Sequence, residues 1–176
     1  TFIWRCFCIF AMCHFKFCRQ NAFGSVPAVP YLPCKLTPHL YMNLITTVQQ
    51  LLWQSKDYLV QLTPAQYAHP LPVFSGTSIG QHTRHFIEFL QCLMAQLPSG
   101  VINYDARQRN TTLELYPETA LQSIAALEVQ LNALQQNPHL QLVVTYPQLG
   151  QPALINTNLH RELAYNAEHI IHHLAI

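Results

Sequence analysis

Charge is scarce in this chain: Asp, Glu, Lys and Arg make up 10% of the residues, and the formal net charge is +1. Without a basic stripe, nucleic acid is not expected as a primary partner, because phosphate recognition needs clustered cations. Cysteine is nearly absent from the main body. Cys6, Cys8, Cys13, Cys18 and Cys34 lie in the first 34 residues, and only Cys92 lies beyond them. A secreted disulfide framework would spread its cysteines through the fold it staples, so a reducing, cytoplasmic setting is expected. The C-x-C-x4-C-x4-C spacing also lacks the paired C-x-x-C of a structural zinc site. A membrane span needs about 20 mostly apolar residues. The opening "TFIWRCFCIFAMCHFKFCRQ" is interrupted by Arg5, His14, Lys16 and Arg19, and no clear small-x-small cleavage site follows it. No membrane partner is expected.

The 176 residues suffice for one domain with a real core. The first residue is Thr, whereas Met42 stands directly before a well-formed amphipathic segment. Residues 1–41 are therefore expected to be an extension outside the native domain, with Pro27, Pro30, Pro33 and Pro38 marking residues 22–41 as an extended linker. Apolar residues at helical spacing predict a first helix over 43–62, ended by Thr63-Pro64. A second helix is predicted over 78–97, capped by Thr77 or Ser78, with Ile79, Phe86, Phe89, Leu90, Leu93 and Leu97 buried. After the polar connection "SGVINYDARQRNTTLELYPE", a third helix is predicted over 117–136, with Pro in its first turn. "LQLVVTY" and "PALINTN" read as two short strands forming a hairpin around "PQLGQ". A final helix, capped by Asn158, runs to the end; it lacks the usual stop signals and is expected to be cut short. The pattern predicts an all-α fold, a four-helix bundle with a short β-hairpin between helices 3 and 4.

What the chain has in plenty is histidine, ten in all. Five of them, His82, His85, His169, His172 and His173, fall into two windows predicted as helix. His169 and His173 are four apart, so their rings lie one turn apart on one face and can converge on one metal ion. His85, on the inner face of the second helix, offers a third ligand. Three neutral imidazoles leave a position for water or substrate, as in a catalytic zinc site. The competing reading is a set of core or interface histidines satisfied by hydrogen bonds. His82 reads as a fourth ligand, a ring behind the ligands or a proton carrier, and His172 as a ring behind the ligands, at an interface or on the surface. Glu162, seven before His169, is expected either to orient a ligand imidazole or to be solvated. Arg107, Arg109 and Tyr104 read first as structural, with Asp105 and Glu114 available to pair with the arginines. Contact with an anionic substrate is their second reading.

The ordered set "SIGQHTRHFIEFLQCL", "INYDARQRN" and "RELAYNAEHIIHHLAI" resembles the DinB-like superfamily (DinB/YfiT group) of metalloenzymes, over residues 42–176. The resemblance implies an up-down-down-up four-helix bundle, commonly a homodimer, holding a divalent metal through three histidines. These map to His85, His169 and His173. It also implies a metal site that activates a thiol or water for transfer to, or hydrolysis of, a small-molecule substrate, with a low-molecular-weight thiol as a further cofactor. Zinc is the first expectation for the metal, with nickel or ferrous iron as alternatives. His82 is an extra histidine in this pattern and the candidate proton carrier. The alternative function is a non-catalytic metal-binding or dimerisation bundle, a stress-response protein.

Overall fold

The computed structural model describes residues 38–146, 148 and 150–175. The expectations for residues 1–37, and with them the five early cysteines, lie outside that range. Helix α1 spans Pro38–Leu59, so it begins inside the stretch read from sequence as an extended linker. Proline is well suited to a first helical position, where its missing N–H costs no hydrogen bond. The helix also stops three residues earlier than its apolar spacing implied. Gln61 and Leu62 donate to the carbonyls of Tyr58 and Leu59, a tightened last turn. Thr63 then caps a short helix α2, Pro64–Ala68, through a reciprocal box with Gln66.

Helix α3 covers Ile79–Gln96. Of its two candidate caps Ser78 takes the role: its Oγ accepts from the N–H of Gln81 at 3.1 Å, and the Gln81 side chain accepts from the Ser78 N–H at 3.0 Å. The connection after α3 holds more structure than its polar composition indicates. It contains strand β1, Val101–Ile102, and the short helix α4, Thr112–Leu115. Helix α5, Pro117–Asn132, begins on proline as expected. Strands β2, His139–Val144, and β3, Ala153–Asn158, pair antiparallel in the register His139↔Asn158 to Val144↔Ala153. β1 joins the far edge of β2 in parallel, giving the order β1-β2-β3. Asn158, the last residue of β3, is also the cap of helix α6, Leu159–Leu174, and accepts from the Arg161 N–H at 3.0 Å.

The described residues are thus mostly helical, with one small sheet. α1 packs on α5 and α6, and α3 packs on the same two helices. Their shared core includes Val48, Leu52, Phe86, Leu90, Ile124, Leu127, Leu163 and Ile170. Burying one such side chain is worth about 1.5–3 kcal/mol, and these positions carry the 3.6-residue period seen in the sequence. No helix among the described residues is long and apolar enough to cross a membrane.

Two close approaches fix where α3 starts. A Cβ at Gly80 would stand 2.1 Å from the carbonyl oxygen of Glu114, so only glycine lets α4 lie against that turn. Alongside it the Tyr67 hydroxyl donates to the Leu113 carbonyl at 2.6 Å.

Candidate metal centre

The contact of α3 with α6 brings three histidines together. His85 from α3 and His169 and His173 from α6 each offer a ring nitrogen, and these nitrogens lie within 4.8 Å of one another. A point no more than about 2.8 Å from all three therefore exists, against Zn–N bonds of about 2.0–2.1 Å. The ring centroids are 4.9 Å apart for His85 and His169, 5.0 Å for His85 and His173, and 4.7 Å for His169 and His173. Three imidazoles bound to one tetrahedral ion would hold their centroids roughly 5 Å apart. Closing the cluster on a zinc ion would move each nitrogen inward by no more than roughly 0.8 Å.

The electrostatics suit ligands. Burial, reinforced by the neighbouring rings and by Arg107, pushes His85 and His169 down to about 4. Burial and the rings of His169, His82 and His172 push His173 down to about 3. All three are neutral near pH 7, the form that binds metal. Both nitrogens of His169, and Nε2 of His173, are shielded from solvent and have no hydrogen-bond partner among the described residues. Each such atom costs about 1–3 kcal/mol. One cation would engage a nitrogen of His169 together with Nε2 of His173.

His82 sits behind His173 on α3. Its Nδ1 is 3.0 Å from Nδ1 of His173, and its Nε2 is 2.8 Å from the Thr77 hydroxyl. Both nitrogens of the candidate proton carrier are thus within hydrogen-bond distance of a neighbour, one of them a ring of the cluster. His172 is exposed, with its ring edge against His173 at 5.3 Å.

Glu162 departs from both sequence expectations. It is fully buried rather than solvated. Its carboxylate accepts from the hydroxyls of Thr157 and Tyr104, at 2.6 and 2.9 Å, and from Arg161 at 2.9 Å. Two aromatic rings lie between it and the cluster: Phe89 and Tyr165 each contact Tyr104 on one side and His169 on the other. Glu162 therefore ties α6 to β3 and to the loop at 103–106. Burial, with Glu162 adding to it, raises the Tyr104 hydroxyl far above its usual range, so it acts as a hydrogen-bond donor.

Arg107 finds other partners than the acids expected from sequence. Arg107 lies over the Phe89 ring, with Nε 3.8 Å from Glu88, and donates to the Tyr104 carbonyl at 3.1 Å. Glu114 pairs with Arg84 instead. Arg109 and Asp105 are exposed. Buried Glu88, to which sequence reading gave no role, is the hub: it faces Arg84 and Arg107 and accepts from the Asn110 N–H at 2.8 Å. The Arg84–Glu88 spacing of four on a helix was the available signal. Thr77 was also missed, since one helix end offering two candidate caps leaves one hydroxyl spare.

Comparison with protein-family models, curated proteins and solved structures returns no match to this chain. The functional reading rests on the residues themselves.

Proposed function

We propose that the chain is a divalent-metal-dependent enzyme of the DinB-like kind, a four-helix bundle of up-down-down-up topology with His85, His169 and His173 as its metal ligands. The observation that carries this reading is the convergence of three neutral imidazoles, two from one helix and one from another, with shielded nitrogens lacking other partners. A bound zinc ion with three protein ligands supplies an acidified water, or a stabilised thiolate, near neutral pH. The chain's own residues do the rest. His85, His169 and His173 fix the ion between α3 and α6. Phe89 and Tyr165 wall one side of the cluster and limit water there. Glu162, Tyr104 and Asn166 lock the wall, since the Asn166 amide donates to the Tyr104 hydroxyl at 3.0 Å. The reaction is transfer to, or hydrolysis of, a small-molecule substrate, with a low-molecular-weight thiol as a further reactant in the transfer case.

Elemental analysis of the purified full chain beside His85→Ala tests the site. Near one metal per chain is expected in the parent and strong loss in the variant; equal metal in both removes His85. A panel of thiol-transfer and hydrolysis substrates then separates an enzyme from a metal-binding module. Bound metal without turnover across the panel would favour the module.

A further inference from the structure

We propose that His82 is a positioning residue that sets the ring tautomer of His173 through a chain of hydrogen bonds anchored on the Phe74 carbonyl. The inference deepens the metal-site reading above and rests on it for its purpose, although the chain itself is a property of the protein alone.

The direction of the chain follows from counting protons. The Thr77 hydroxyl lies 2.7 Å from the Phe74 carbonyl oxygen, which can only accept, so the single hydroxyl proton points there. The Thr77 oxygen is then an acceptor toward His82, 2.8 Å away, and Nε2 of His82 must carry a proton. A neutral imidazole has one N–H, so Nδ1 of His82 presents a lone pair. That lone pair faces Nδ1 of His173 at 3.0 Å, which must donate the proton between them. His173 is left with its lone pair on Nε2. This is the nitrogen that is shielded and without a hydrogen-bond partner among the described residues.

The anchor lies in a hydrogen-bonded turn. Phe74, Ser75 and Gly76 form a tight turn in which Ser75 and Gly76 adopt φ of 55° and 84°. Leu71 and Thr77 bridge its base, with the Leu71 N–H donating to the Thr77 carbonyl at 2.9 Å. The Phe74 ring stands edge-on to His82 at 5.4 Å and blocks the imidazole from swinging out. A ligand histidine whose other nitrogen donates to a fixed acceptor is both oriented and made more basic. Here a second imidazole is that acceptor, and its own tautomer is dictated by a threonine.

Long-range proton–nitrogen correlation spectra of the metal-free full chain read the tautomers directly, with ring signals assigned by single-histidine substitutions. The expected result is a protonated Nδ1 and bare Nε2 for His173, and a protonated Nε2 with bare Nδ1 for His82. Thr77→Val removes the accepting oxygen and should scramble both tautomers while weakening zinc binding about tenfold. Thr77→Ser keeps the hydroxyl and should restore both. A proton on Nε2 of His173 in the parent overturns the proposal, as do unchanged tautomers in folded Thr77→Val. Should Thr77→Val fail to fold, the parent spectrum decides alone. If the parent binds no zinc but shows the expected tautomers, the metal reading fails and the hydrogen-bond chain stands. Zinc binding with the opposite tautomer sinks only the chain.

Discussion

Replacing His169 with leucine should make the metal-free protein more stable and the zinc-loaded protein comparatively weaker. Both nitrogens of His169 are shielded, with no hydrogen-bond partner among the described residues. At about 1–3 kcal/mol per unsatisfied atom, removing them returns about 2 kcal/mol or more. Against this, the ring contacts with Phe89 at 4.6 Å and Tyr165 at 5.9 Å are lost, worth about 0.5–1.5 kcal/mol each. Leucine refills most of the volume with apolar contacts. The balance favours the variant by about 1 kcal/mol, a rise in Tm of roughly 2–4 °C. With zinc at 100 times Kd, the parent gains about 2.7 kcal/mol by linkage and the variant, short of a ligand, much less. The order of the two melting temperatures should therefore reverse when zinc is added. Differential scanning calorimetry with and without zinc reads this directly. A variant less stable than the parent in the absence of metal would show that His169 is an ordinary satisfied core residue. An equal zinc shift in both proteins would refute its role as a ligand.

Three further outcomes are expected from the same contacts. The metal-free protein should lose stability as pH falls from about 6.5 towards 4, because the unfolded histidines take up protons there that native His85, His169 and His173 refuse. The loss should flatten below the native values, and urea midpoints across that range should move less in His169→Leu than in the parent. Gly80→Ala should cost about 2 kcal/mol or more in urea unfolding, since its Cβ would meet the Glu114 carbonyl oxygen at 2.1 Å, an overpacking cost that outweighs the gain of about 1 kcal/mol in helix propensity. A stable variant would mean that α4 moves freely. Glu162→Gln should cost about 2 kcal/mol, because three donors now meet a buried carboxylate. Urea unfolding reports it, and an unchanged midpoint would remove Glu162 as a clamp.

Much of the fold was legible because burial repeats with the helical period. Leu90, Leu93, Ile124, Leu127 and Leu131 announce their helices, and Asn158 and Pro117 mark helix starts by local chemistry that needs no tertiary contact. The H-x-x-x-H pair is likewise a property of one helix. What was hidden depends on partners distant in sequence. A two-residue strand such as β1 has no period to read and exists because Gln141 donates to the Gly100 carbonyl at 2.8 Å. Glu88 and Glu162 look like surface charges until Arg107 and Tyr104 arrive from the loop. Thr77 looked like a cap because its other partner, His82, is set by side-chain packing rather than by the backbone.

Asn158 closes the hairpin and opens α6 without a spacer. Strand pairing therefore sets the rotational phase of the histidine-bearing helix like the key of a shaft. One inserted residue at this joint would turn everything beyond it by about 100°, swinging the imidazoles of His169 and His173 away from His85. Length variation is tolerable at the hairpin tip and forbidden at its root.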